Sequence, residues 1–256
     1  MSKLGILNLL MFIILLVLSA SIYFAPEPPP ADEARLTTLA PAQVERIHLQ
    51  RNLQDDVQLE KRDDHWFMQY AGQSLPANQW RVDNLLKLLH AKPEHQFQSS
   101  DDAQYGLLPP KASVQFNHLT LKIGDNDPIK RLRYIAQDST VSLVTDQYYL
   151  HLFADATDYL SLAPLGGLKI TAVTIDGKQP ALQGDDRQAW LDNWQYLQAL
   201  QVTAASNLSG EQTINVQLKD GTQLTLLRQG QYLIRPDLKL AYELNDGLVQ
   251  QLFTLR

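Results

Sequence analysis

The pattern of apolar and polar positions divides the chain into three stretches. From Leu4 to Phe24 it reads LGILNLLMFIILLVLSASIYF, with no charge. A helix rising about 1.5 Å per residue needs about 20 such residues to cross a ~30 Å hydrocarbon layer, so residues 1–24 predict a transmembrane anchor. Ala25 to Ala34 carries four prolines in five positions and predicts an extended, stiff linker. From residue 35 onward the period changes. Val44, Ile47 and Leu49 mark a strand, and Val82 to Leu89 carries apolar residues at helical spacing. A hairpin comes next, from Val114 through a turn at Asn117-His118 to Ile123, then another from Tyr134-Ile135 to Leu143-Val144.

The same order returns later in the chain. Leu39-Ala40-Pro41 precedes the first strand, and Leu162-Ala163-Pro164 precedes one at Ile170, Val173 and Ile175. Leu191 to Gln198 matches the helix. Val216 to Leu227 matches the first hairpin, with a type I′ turn expected at Asp220-Gly221. Tyr232-Leu233 to Tyr242-Leu244 matches the second. Asp146 and Asp246 read as N-caps of short helices ending at Leu152-Phe153 and Leu252-Phe253. Residues 35–160 and 161–256 are therefore expected to be two copies of one unit. The first has an additional hairpin around Asp63-Asp64, and Leu165-Gly166-Gly167 forms a turn between the copies. One long helix per copy among hairpins predicts an α+β fold, with a mainly antiparallel sheet and a helix packed on one face of each unit.

Charge refines this picture. Lys3 is the only charged residue before Glu27, and Glu27, Asp32 and Glu33 come after the apolar run. Positive charge stays on the cytoplasmic side, which puts the N-terminus in the cytoplasm of a bacterium and the C-terminal body in the periplasm, held by a single pass through the inner membrane. Ser19-Ala20-Ser21 also suits signal-peptide cleavage, but the apolar run continues past it through Ile22-Tyr23-Phe24, longer than the usual ~7–15-residue apolar region. The net charge is −6 with no basic cluster, so nucleic acid is not an expected partner. The chain has no cysteine, which removes disulfides, thiol chemistry and Cys-ligated zinc.

Leu-Ala-Pro before Val44-x-x-Ile47, Trp66, Tyr105-Gly106-Leu107-Leu108-Pro109, Ile123-Gly124 and Arg133-Tyr134-Ile135 resemble a bacterial domain-of-unknown-function family (number 4340). The resemblance covers most of residues 35–160. It implies a membrane-anchored, extracytoplasmic protein associated with transporter-like or motility-related membrane systems, and brings no catalytic residues.

Candidate chemistry is sparse. His48, His65, His90, His95, His118 and His151 lack metal-ligand spacing; His90 and His95 are five apart with Pro93 between them. Asp55-Asp56, Asp63-Asp64, Asp101-Asp102 and Asp185-Asp186 stand at segment boundaries, where Asp favours turns and helix starts. Asp125-Asn126-Asp127 opens like a calcium loop but lacks the glycine at position six and the glutamate at position twelve. No nucleophile elbow, phosphate loop or His-Glu-x-x-His helix occurs. Trp190 and Trp194, one turn apart, are expected in the core. Asn8 is a possible hydrogen-bonding contact to a neighbouring membrane helix. No catalytic, cofactor-binding or metal residue is assigned, and no cofactor. The expected function is a non-enzymatic structural, assembly or accessory subunit of an inner-membrane complex, with the membrane and other complex subunits as partners. The alternatives are a module binding a lipid, peptidoglycan fragment or small solute between the copies, and a hydrolase whose residues meet only in three dimensions.

Overall fold

Strand-forming residues at period two and a few amphipathic helical stretches build an α+β body of antiparallel sheets. The structure is a computed structural model that describes Met11 and residues 35–127 and 129–253. The chain divides into residues 1–34 and 35–256, and every strand lies in the second unit. Apart from Met11, the expected anchor and the whole of the linker lie outside the described residues. Among the described residues no helix is long and apolar enough to cross a membrane.

The first half contributes β1 (Arg46–Arg51), β2 (Val57–Arg62), β3 (His65–Tyr70), β4 (Gln73–Pro76), α1 (Gln79–Leu86), β5 (His95–Gln98), β6 (Ala112–Phe116), β7 (Leu119–Asn126), β8 (Leu132–Gln137), β9 (Thr140–Thr145) and α2 (Tyr149–Leu152). The second half contributes β10 (Ile170–Ile175), α3 (Gly184–Gln195), β11 (Gln201–Ala204), β12 (Gln212–Leu218), β13 (Gln223–Gln229), β14 (Tyr232–Arg235), β15 (Leu240–Glu243) and α4 (Asp246–Phe253). The first sheet runs β4-β3-β2-β1-β6-β7-β8-β9-β5 and the second β10-β12-β13-β14-β15-β11. Once β2, β3 and β4 are set aside, both sheets have the same order. The first strand lies beside the third, the hairpins come next, and the strand after the helix returns to close the far edge.

The expected hairpin at Asp63-Asp64 is present, with φ of 48° and 62° at the two aspartates, the positive values a type I′ turn requires. The turn at Asp220-Gly221 differs from the expectation. Gly221 N–H donates to Leu218 O, and Gly221 alone of the pair has positive φ (89°). This is a three-residue loop, a type I turn closed by a left-handed glycine, so Asp220 keeps an ordinary conformation. Its carboxylate instead accepts from the Thr222 N–H and hydroxyl.

Three further expectations need correction. Asp146 caps nothing, because its carboxylate is held by Arg133. Asn245, not Asp246, caps α4: its Oδ1 accepts from Leu248 N–H at 2.8 Å. The second helix begins at Gly184 and ends at Gln195, seven residues before the expected start and three before the expected end. Three short strands, β4, β5 and β11, were not anticipated.

One continuous core, containing Ile47, Val114, Leu121, Leu85, Leu89, Val173, Ile214, Leu226 and Trp194, runs through both halves. The halves are joined by the segment after α2. Ser161 N–H donates to Pro76 O on β4, and Leu162 O accepts from Ala199 N–H ahead of β11. A small satellite core of Leu107, Ala136 and Val141 lies at the β5 end of the first sheet, with Phe97, Tyr105 and Tyr134 packed on it. Gly124 lets the Tyr105 loop lie flat against β7, since a Cβ there would meet Tyr105 O at 2.3 Å.

Candidate functional site

A group of exposed aromatic and aliphatic side chains lies on the helix pair of the first half. On α1, Val82, Leu85 and Leu86 turn inward while Trp80, 62% exposed, turns outward. Asn78 fixes the start of this helix by accepting from Arg81 N–H at 3.2 Å. On α2 only Leu152 is buried; Tyr149 and Leu150 face solvent. The Trp80 ring meets His151 edge-on at 5.3 Å, and Tyr149 stacks on Phe153 at 4.8 Å. Arg81 lies 5.6 Å from the Trp80 ring centre, and Arg133 lies 5.0 Å from that of Tyr149. An open groove of about 410 Å³ between Arg81, Tyr149, Leu150, Phe153, Asp155 and Asp158 completes the face.

The polar groups beneath this surface are incompletely paired. Arg81 Nη1 donates to Leu150 O at 3.1 Å, and its Nη2 stands 3.8 Å from Asp158, while its buried Nε has no partner. His151 Nδ1 is likewise buried and unpaired. Burial lowers the His151 pKa, and the positive charges of Arg81 and Lys87 lower it further, so the ring is held neutral. Arg51, at the end of β1, donates to the carbonyls of Ala154 and Asp55 and leaves Nε unpaired. Buried polar atoms without partners are costly; among the described residues Arg51 Nε, Arg81 Nε and His151 Nδ1 lie by these helices, and a fourth, Trp194 Nε1, lies in the second half.

A second concave surface lies on the solvent face of β1, β2, β3 and β6, about 560 Å³, lined by Arg46, His48, Gln58, Glu60, Gln69 and Gln115 among others. His48 Nε2 sits 3.0 Å from Asp56 Oδ2 at its margin. No Ser, Thr or Lys is among its lining residues. The cavity between the two halves, beside Pro76, Leu165, Arg235 and Tyr242, holds only about 180 Å³, below the ~300–1,000 Å³ of ordinary ligand sites. Its polar groups are committed. Arg235 clasps Asp237 through Nε (2.9 Å) and Nη2 (2.7 Å) and donates to Pro164 O. Burial pushes the Tyr242 hydroxyl up to about 12, so it stays protonated.

The histidines are dispersed. His48 is on β1, His65 and His95 begin β3 and β5, His90 ends a 3-10 turn, His118 is in the turn between β6 and β7, and His151 is on α2. Among the described residues no group of three His, Asp or Glu could hold a metal ion. Asp63-Asp64 is a turn and Asp185-Asp186 lies in the first turn of α3, the roles expected of such pairs. Asp127 caps its own loop by accepting from Ile129 and Lys130 N–H, which lowers its pKa. Trp190 and Trp194 are core residues, 5% and 0% exposed. Sequence reasoning missed Trp80. The available signal was its place on the helix, on the face opposite the Val82–Leu85–Leu86 stripe. Compared with known proteins, the chain matches no protein family profile, no curated protein and no solved structure.

Proposed function

We propose that this protein is a non-enzymatic accessory or assembly subunit of a bacterial inner-membrane complex, acting through the α1–α2 face of its body. The observation that carries the reading is the exposed Trp80, Tyr149 and Leu150 set beside the unpartnered Arg81 Nε and His151 Nδ1. Apolar side chains grouped at the surface, above polar atoms lacking partners, are what a partner surface would cover and complete. The uncharged run from Leu4 to Phe24 supports a membrane anchor, and the proline-rich linker a periplasmic body set off from the bilayer.

The reading includes an internal duplication. Its support is the shared strand order of the two sheets.

A second reading, a periplasmic module for a small polar ligand, is favoured by the groove of Arg46, His48, Gln58 and Gln115, whose polar groups converge. One experiment separates the two. The full chain and its Leu150→Asp variant are extracted in mild detergent, and co-purifying proteins are identified by mass spectrometry. The accessory reading expects a stoichiometric partner that Leu150→Asp releases at unchanged melting temperature. Retention of the same partner by the variant would contradict it.

A further inference from the structure

The two sheets have four edges; two are flanked by other segments of the chain and a third is capped at its ends. β4 is covered by the joining segment, through Ser161 N–H to Pro76 O and the bridge of Ala77 to Leu160. β11 is flanked by Ala156–Tyr159 of the first half. β10 is blunted at both ends: Lys178 pairs back onto Ile175, and Gln195 Oε1 accepts from Ile170 N–H at 3.0 Å. β5 has β9 on one side and, among the described residues, no strand on the other. Its topological counterpart, β11, shows that this position in the unit can be covered by polypeptide.

Open edges are normally protected by lysine, proline or a bulge, because their main-chain groups invite another strand. β5 reads His95-Gln96-Phe97-Gln98, with no Asp, Glu, Lys, Arg or Pro within it. Its outward groups are set by the register. Ser99 N–H donates to Ser139 O, continuing the register in which Phe97 faces Val141 and His95 faces Leu143. Those are the hydrogen-bonded pairs, so the main-chain groups of Gln96 and Gln98 point away from β9. Both glutamine side chains are tied inward to β9, to Ser142 Oγ (3.1 Å) and Thr140 Oγ1 (2.9 Å), and leave the edge clear.

We infer that β5 pairs antiparallel with β5 of a second copy of this chain, about a two-fold axis passing between the two Phe97 residues. In that register Gln96 of each copy faces Gln98 of the other, giving four main-chain hydrogen bonds between strands that bring no like charges together. The partly buried aromatic group of Phe97, Tyr105 and Tyr134 lies at this end of the sheet, ring centres 5.3 and 4.8 Å apart, and the axis would set two such groups side by side. Aromatic against aromatic is the favourable cross-strand pairing, and it argues for a second copy rather than an unrelated strand. A four-residue contact is weak in solution. Confinement of anchored copies to a membrane would raise their effective concentration. This pairing is independent of the α1–α2 face, so either proposal can fail alone.

The absence of cysteine makes the register measurable. In the full chain in detergent micelles, Phe97→Cys places two Cα atoms about 4.5 Å apart, within the ~4.4–6.8 Å of a disulfide. His95→Cys places them about 13 Å apart, four residues out of register. Oxidation should give a covalent dimer with Phe97→Cys and only monomer with His95→Cys. Adding Gln96→Pro, which removes an outward N–H that β9 does not use, should abolish cross-linking without lowering the melting temperature. Sedimentation of the unmodified chain should show a concentration-dependent dimer. Equal cross-linking of both cysteine variants, undiminished cross-linking in the presence of Gln96→Pro, or a monomer at every concentration would overturn the pairing.

Discussion

Each half carries two helices, and the two pairs place their tryptophans differently. In the second half Trp190 and Trp194 point inward from α3. Their rings meet edge-on at 6.0 Å, Trp194 meets Phe253 of α4 at 5.5 Å, and Trp190 Nε1 donates to Leu252 O. Arg228 covers the Phe253 ring at 4.4 Å. Among the described residues that pair still leaves Trp194 Nε1 without a partner, and Tyr196, just past α3, is exposed. In the first half Trp80 of α1 and Tyr149 and Leu150 of α2 point outward, and aliphatic Val82, Leu85 and Leu86 fill the inner side. Inward aromatics hold a fold together; grouped outward ones leave apolar surface exposed.

The largest effect that would break this comparison comes from the buried ring. Trp194→Ala should destabilise the body by about 3–5 kcal/mol, as large aromatic truncations do. Trp80→Ala, the same change on α1, should cost only about 0.5–1 kcal/mol, for a ring whose contacts are largely exposed. Urea unfolding of both variants checks this, and equal losses would show that the two helix pairs serve the same structural purpose.

A smaller effect concerns pH. Burial, Arg81 and Lys87 all lower the His151 pKa, so the unfolded chain takes up this proton first as pH falls. The contribution of His151 to stability is then full above about pH 6.5 and declines below it until the folded-state pKa is passed. Melting curves between pH 7.5 and 5.5 should fall more steeply for the unmodified chain than for His151→Gln. Parallel curves would remove His151 from the account.

Much of this fold could be read from the sequence, and the failures have physical causes. Period-two strands such as β1, β6 and β12 announce themselves because one face is fully buried: Ile47 and Leu49, Val114 and Phe116, Ile214 and Val216. Adjacent aspartates marked the Asp63-Asp64 turn. Short β5 and β11 escaped because Gln96, Gln98 and Gln201 are exposed and four residues give no measurable period. Asp146 misled because a carboxylate can cap a helix or clasp a buried guanidinium, and the choice depends on Arg133, thirteen residues away. Buried Arg51, Arg133 and Arg235 look like surface charges until the carbonyls and carboxylates that hold them are placed. The exposed α1–α2 face was hidden for a related reason: Trp80 is one aromatic residue among many until α2 brings Tyr149 and Leu150 beside it.

Oxidative footprinting of Trp80 and Tyr149 compares the chain in its native membranes with the purified chain, using buried Trp190 and Trp194 as internal references. Docking through α1 and α2 predicts that Trp80 and Tyr149 are oxidised readily when purified and are protected several-fold in membranes, with the two references unreactive in both. Equal oxidation of Trp80 and Tyr149 in both states would contradict the account.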